Sequence, residues 1–515
     1  MKIDKSLNCR NIERGVMHGD ILEVKKFLEK QNSISLTSEQ EDKIKKARKL
    51  IKKAIEEDRT IYGINTGFGK LSQVKVSRDK LQKLQLNLLR SHACGVGEPV
   101  KRDIVRIMMY LKIDNLSKGN SGCSLDVVNK LIELLNKEIL PVVPQKGSVG
   151  ASGDLAPLAH MSLPLIGEGE VYYQDEKTQA ANLVEQGVYK PVKLGPKDGL
   201  SLINGTQYST AMLIYAMLET EKIMTLAQLA AAMSIEADMA TDVPFYDQIH
   251  QARGQKGQIK IAHQILNLLE DSEIIASHKD CEKVQDPYSY RCIPQVYGTV
   301  QDTIDFVSQI VGREMQAVTD NPLVFPEQDK VFSGGNFHAE PIAMSSDYLA
   351  IALTDLGNMI ERRIANLMDS NMSHLPPFLI EASGVNSGFM IAHVTAAALT
   401  AENRTMANPA SVETITTSAN QEDHVSMAPN AGLKLLNIID NIEQIVAIEL
   451  LVAAQGIDLR QDLEKGRGTE LGYQKVRNAV PKLEDDRIMH PDFEKIKQLF
   501  NDKNFIEEIK KILHK

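Results

Sequence analysis

TQYSTAMLIYAMLETEKIMTLAQLAAAMSIEADMA, Thr206 to Ala240, decides the fold class. Neither proline nor glycine interrupts it, and alanine, leucine and methionine fill it, residues that favour helix and, for alanine, close helix–helix approach. The stretch outruns the usual helix of about 8–20 residues. Its apolar residues are too many for one face, so the helix must bury several. Similar text recurs over Asp302–Val318, Pro341–Met368 and Leu435–Gln455. The expectation is a mainly α protein, a long-helix bundle over residues 201–515. Helices this long and apolar point to oligomerisation.

Upstream, residues 1–200 read as a loop-rich, mixed N-terminal part. Amphipathic helices are expected over Ser38–Glu57, Arg78–Ser91, Lys101–Leu116 and Leu125–Lys137. Strand text is confined to Gly167–Lys197, in EGEVYYQD and GVYKPVKLG. The Lys-rich end, Lys495–Lys515, reads as a solvated amphipathic helix. No repeat at a fixed period is visible.

Composition narrows the function. The 515 residues correspond to about three domain lengths at roughly 150 residues each. With 43% hydrophobic and 25% charged residues the chain is an ordinary globular one. A net charge of −9 argues against a nucleic-acid surface, and the absence of Trp argues against base-stacking platforms. Five cysteines in no metal-ligand spacing fit a reduced, cytosolic protein without a disulfide framework. The long uncharged stretch Ser383–Ala401 carries Asn386, His393 and glycines and is too polar to span a membrane.

Chemistry is expected in five polar loops: Tyr62–Gly69, Ser91–Gly97, Gly147–His160, Gln285–Arg291 and Asn420–Val425. In the central one, GSVGASGDLAP, glycines stand at 147, 150 and 153. A phosphate loop is a weak reading, because no GK[ST] follows. A plain turn whose Asp154 N-caps a helix starting near Leu155 carries about half the weight on local pattern. A third reading is chemical. If the turn is tight, the Gly153 nitrogen can attack the Ala151 carbonyl, since glycine has no Cβ to block the approach. Loss of water from that ring and from Ser152 leaves a methylidene-imidazolone, an electrophile that needs no external cofactor.

YGINTGFG, GSVGASGDLAPLAH, INGTQ, QDPYSYRCIPQV, TDNPLVF, SGGNFHAEP and SANQEDHVSMAPNAG occur in this order between about Asp58 and Leu435. In these motifs the chain resembles the histidine and phenylalanine ammonia-lyase family, whose prosthetic group is a self-made 4-methylidene-imidazole-5-one. The resemblance implies that Ala151, Ser152 and Gly153 form that group, with no metal. It implies that Tyr62 is the base for the substrate β-proton and that Tyr288 and Asn204 position the group and the amine; the sequence does not decide whether Tyr62, Tyr288 or Glu422 is the working base, nor whether the amine or the imidazole adds to the electrophile. Arg291 would clamp the substrate carboxylate, and Gln285 and Phe337 would be pocket walls. A homotetramer with sites shared between chains is also implied.

Ser91-His92 and Glu422 resemble the histidine branch. His92 and Glu422 offer an imidazole ring a partner at each nitrogen, whereas a phenyl ring would leave both unpaired. The implied reaction is L-histidine to trans-urocanate and ammonia. The alternatives are a phenylalanine or tyrosine ammonia-lyase or aminomutase on the same fold, and a helical paralogue without activity. Each site residue also has a bland reading: a lone buried Tyr is more often just satisfied, and an Arg more often in a surface salt bridge. The Tyr62 role requires a phenol pKa below the ordinary ~10. Asn120, Cys123 and Cys94 depart from the family pattern without touching the proposed chemistry. His160, His338 and His424 have no sequence spacing that builds a metal site.

Overall fold

The computed structural model describes residues 19–30, 33–67, 69, 73–278, 284–460 and 462–515. It is mainly helical, as the alanine-rich text requires. The longest helices are Gln207–Asp238, Ile293–Met315, Glu340–Met368 and Ala428–Asp458. Gln207–Asp238 is buried almost all round: Ala211, Leu213, Ile214, Ala230 and Met233 have no exposed surface. No described helix is long and apolar enough to cross a membrane.

The strands are few and short. Glu170–Tyr173 pairs antiparallel with Glu176–Gln179, as EGEVYYQD implies, and with Leu140–Pro141. GVYKPVKLG, expected as strand, is irregular. Its Pro191 has no N–H for a ladder, and Tyr189 is instead buried, its hydroxyl donating to Pro164 O at 2.8 Å. Two further antiparallel pairs, Val96–Pro99 with Pro144–Lys146 and Leu323–Phe325 with Lys330–Phe332, lie in text without strand alternation. The Lys-rich end breaks into His490–Lys497, a 3₁₀ turn and Lys503–Leu513. Asp502 interrupts it by capping the last helix, accepting from Phe505 N at 3.0 Å. Cys94, Cys123 and Cys292 are free thiols; Cys9 and Cys281 lie outside the described residues.

Contacts group the chain into two units. The first comprises residues 1–215, 308–347 and 409–433. In it the Ser38–Glu56 helix packs Ala47, Leu50 and Ile51 against Ile64 and Val324. Its loop at Gly147–His160 is anchored by a carboxylate. Asp154 does not cap the Ala156–Ser162 helix, which has no side-chain cap. It reaches across to the Gln207–Asp238 helix and accepts from Tyr208 N at 2.7 Å and Ser209 N at 3.2 Å, and from the Ser209 hydroxyl. A negative group there satisfies orphan N–H donors and suits the helix dipole. Asp154 is fully buried, which pushes its carboxyl up to about 6. The buried Lys112 pins the same region, donating to Ser201 O at 3.0 Å and Asn204 O at 2.7 Å.

The second unit comprises residues 216–307, 348–408 and 434–515. At its centre the wholly buried Arg363 and Glu449 form a bidentate pair at 2.6 and 3.0 Å. Ser234 Oγ donates to Glu449 at 3.0 Å, and Arg363 Nη1 donates to Ser289 O at 3.2 Å. Asn366 Nδ2 also donates to Ser289 Oγ at 2.9 Å. This pair therefore holds the short Tyr288–Arg291 helix.

Arg363→Met strands the Glu449 carboxylate and costs about 3–5 kcal/mol, seen as a lower denaturation midpoint; adding Glu449→Leu recovers most of it. Glu41→Ala, which breaks the exposed Lys45 pair, costs less than about 0.5 kcal/mol in the same assay. For Asp154 the folded carboxyl titrates above its ordinary value of 3.8, so the folded state favours the protonated form. That contribution is fully present below 3.8 and is lost as pH rises through about 6. The stability of wild type relative to Asp154→Asn therefore falls as pH climbs across that window, and a pH-independent difference contradicts the burial account.

Candidate active site

The Ala151-Ser152-Gly153 turn is held in a conformation that ordinary residues avoid. Ser152 and Gly153 take φ of 54° and 81°, and Leu155 takes 43°. Gly153 forms a parallel bridge with Gly205, and Asp154 N donates to Gly205 O at 2.8 Å. A Cβ on Gly153 would stand 2.3 Å from Gly205 O, so no other residue fits. On the other side Met427 N donates to Val149 O at 2.9 Å, and Ala151 packs against Val425 and Met427.

Ser152 opens on a cavity of about 490 Å³, whose walls include Tyr62, His92, Asn204 and Glu422. Leu84, Leu88, Leu155, Leu200 and Ile203 supply its apolar surface. Five of the residues singled out from sequence thus share one cavity. Ser152 Oγ donates to Glu422 Oε1 at 3.0 Å, and Thr417 Oγ1 donates to Glu422 Oε2 at 2.8 Å.

His92 ends the Leu81–His92 helix. Its Nδ1 lies 2.9 Å from Leu88 O, a contact only an Nδ1–H satisfies. Burial holds the imidazole below its usual pKa, which favours the neutral form; with Nδ1 donating to Leu88 O, that form carries its lone pair on Nε2. Asn204 is 3% exposed, and its Oδ1 is buried with no partner. A buried acceptor with no donor costs free energy unless a ligand supplies one. Tyr62 Oη accepts from Gly69 N at 3.3 Å. Burial, offset in part by that N–H, pushes the phenol above its usual value, with Glu422 adding to the rise. This is opposite to the depressed value expected of a phenol base.

Phe337 is half-buried and does not line the cavity. Gln285, Tyr288 and Arg291 belong to the second unit. There the Arg291 guanidinium lies over the Tyr288 ring at 4.6 Å, its Nε buried with no partner, while Tyr288 is 69% exposed and Gln285 is exposed.

Some participants were not foreseen. Asn87 lines the cavity four residues before Ser91, a helical spacing that marks the same face. Lys112, a cation inside the apolar run MMYLKI, is a buried-charge signal in plain view. Thr417 carried none. The fold also gathers His338, Glu340 and His424, which sequence spacing did not: their ligand atoms lie within 4.8 Å of one another. The two imidazoles are stacked near-parallel, 6° between planes and 5.8 Å between ring centroids. His160 Nε2 accepts from Gly95 N at 3.0 Å, a structural role. Cys123 is buried, its thiol pushed up to about 12, and Asn120 Nδ2 donates to Val324 O at 3.0 Å, so both departures serve packing.

Residues 20–478 match the model of the aromatic amino acid lyase family. Histidine ammonia-lyase of Legionella pneumophila (strain Corby) is 48% identical over 485 residues, 94% of this chain and 96% of that protein. Among solved structures, histidine ammonia-lyase from Trypanosoma cruzi superimposes with a TM-score of 0.87 at 40% identity, covering 96% of this chain and 93% of that one. Tyrosine aminomutase from Streptomyces globisporus gives 0.89 at 32% identity, covering 95% and 96%, so the backbone alone does not choose among these chemistries. The chain belongs to the aromatic amino acid lyase family.

Proposed function

We propose that this protein converts L-histidine to trans-urocanate and ammonia. The observation that carries the reading is the pairing of neutral His92 with Glu422 on one cavity beside Ser152. The His92 Nε2 lone pair accepts one imidazole N–H of the substrate, and the Glu422 carboxylate accepts the other. That combination selects a ring with two donors, the imidazolium form. A phenyl or phenol ring would leave at least one of the two groups buried without a partner. The 48% identity to a protein named histidine ammonia-lyase supports the same substrate.

Ala151, Ser152 and Gly153 fit a methylidene-imidazolone. The left-handed turn at Ser152 and Gly153 brings the backbone round. The Ser152 hydroxyl that must leave is already hydrogen-bonded to a carboxylate. Asn204 Oδ1 waits without a donor in the same cavity. Once formed, the group supplies an electrophile that draws electrons from the bound amino acid and makes its amine a better leaving group. The chain's own residues do the rest. Asn204 Oδ1 accepts from the substrate ammonium. Glu422 and His92 orient the ring. Arg291 takes the carboxylate with its fork of donors, and Tyr288 lines the substrate. Gln285 and Phe337 complete the walls. Tyr62 as base for the β-proton needs donors or positive charge beyond Gly69 N–H, because burial alone holds the phenol protonated.

We further infer a homotetramer with shared sites in a cytosolic setting. Exposed Phe306, Tyr348 and Ile351 line an apolar groove of about 910 Å³ in the second unit, which a second copy would cover. Exposed Gln285 and Tyr288 and the unpartnered Arg291 Nε support their contribution to another copy's cavity. The free thiols fit a reducing compartment.

The test is urocanate and cinnamate formation under one set of conditions. Wild type is expected to deaminate histidine and not phenylalanine. Ser152→Ala has no hydroxyl to eliminate and loses activity while keeping its fold. Replacing Ser91-His92 by Phe-Leu removes a ring partner worth roughly 1–3 kcal/mol of histidine binding and yields only traces of cinnamate; adding Glu422→Gln raises the cinnamate. Wild type active on both amino acids, or a Phe-Leu variant with full histidine activity, contradicts the assignment.

A further inference from the structure

Thr417 and Glu422 are tied to each other three times. Thr417 N donates to Glu422 O at 2.9 Å, and Glu422 N donates to Thr417 O at 3.3 Å, forming an isolated antiparallel bridge. Thr417 Oγ1 then donates to Glu422 Oε2 at 2.8 Å. Between them the chain turns back through Ser418, Ala419 and Asn420, which take φ of 49°, 50° and 67°. Three consecutive left-handed residues, none of them glycine, cost free energy and persist only where the surroundings impose them. The turn is packed on the substrate cavity: Ser418 lines it, and a Cβ on Gly69 would meet Ser418 Oγ at 2.4 Å.

The consequence is a division of labour between the two carboxylate oxygens. Oε2 is occupied by Thr417, and Oε1 faces Ser152 at 3.0 Å. A glutamate side chain has three rotatable bonds and, left to itself, spreads over several rotamers. We propose that Thr417 is a positioning residue: its hydroxyl, clasped to Glu422 across the strained 418–420 turn, locks the carboxylate so that Oε1 alone is presented to the substrate ring. This rests on the reading that Glu422 receives the imidazole of histidine. The clasp is preorganisation, in which a fixed acceptor loses no rotamer freedom when substrate arrives.

The test is a double-mutant cycle on holoenzyme, with the prosthetic group checked by intact mass in every variant. Thr417→Val keeps the shape and removes the donor; Thr417→Ser keeps the donor. Thr417→Val is expected to lower kcat/KM for histidine roughly 10- to 100-fold, the loss of one charge-assisted hydrogen bond, with the group still formed. Thr417→Ser is expected to restore most of that loss. In a Glu422→Ala background Thr417→Val adds less than about threefold, because the group it acts through is gone; a merely structural threonine gives the same loss in both backgrounds. A wild type that turns over histidine while Thr417→Val does so equally well overturns the clasp and leaves the substrate assignment standing. Equal losses in the two backgrounds also overturn it. A wild type inactive on histidine overturns the assignment and the clasp together.

Discussion

One contact organises the first unit: the approach of Gly153 to Gly205, so close that a single methyl group on Gly153 would stand 2.3 Å from a carbonyl oxygen. Two segments more than fifty residues apart meet there, and Asp154 fastens them by capping the helix that begins just after Gly205. A cap from within the same segment would secure only its own helix. A cap from another segment fixes the distance between the Ala151-Ser152-Gly153 turn and the cavity wall. The cost is a fully buried carboxylate, offset by two N–H donors, a hydroxyl and the nearby Lys112.

The same logic runs through the cavity. Three polar groups there keep one atom available. Leu88 O takes the proton of His92 Nδ1, Thr417 takes one oxygen of Glu422, and Asn204 keeps an oxygen with no donor. Apolar side chains surround these atoms and strengthen their interactions by excluding water. In the proposed function, selectivity for a ring with two N–H groups follows from what a wrong ring leaves unpaired. The solved structures with the same backbone and different named chemistries place that choice in side chains, not in the fold.

Much of this was legible before any coordinates, for a physical reason. Helix content is written in composition and periodicity, and Thr206–Ala240 appears as Gln207–Asp238 almost to the residue. The helix Ile293–Met315 starts ahead of the expected Asp302–Val318, and Pro294 fits its first turn, where a missing N–H costs nothing. The short strands at 96–99, 144–146, 323–325 and 330–332 were invisible, since three or four residues show too little alternation to mark a strand. Within the site, reactive residue types announced themselves: Ser152 between glycines, His92, Glu422. Supporting residues did not. Asp154 looked like a local cap because sequence shows neighbours along the chain and not across it. Thr417 is an ordinary threonine until the 418–420 turn folds it back on Glu422. The phenol of Tyr62 was expected below its usual value, and burial sends it the other way.

The central claim is that Ala151, Ser152 and Gly153 close on themselves. The intact mass of the purified, unmutated protein tests it most directly. Ring closure and dehydration of Ser152 remove two water molecules, so the account predicts a mass lower than the sequence mass by that amount, with the deficit confined to the peptide that contains residues 151–153. A protein of full sequence mass that still releases ammonia from histidine contradicts it.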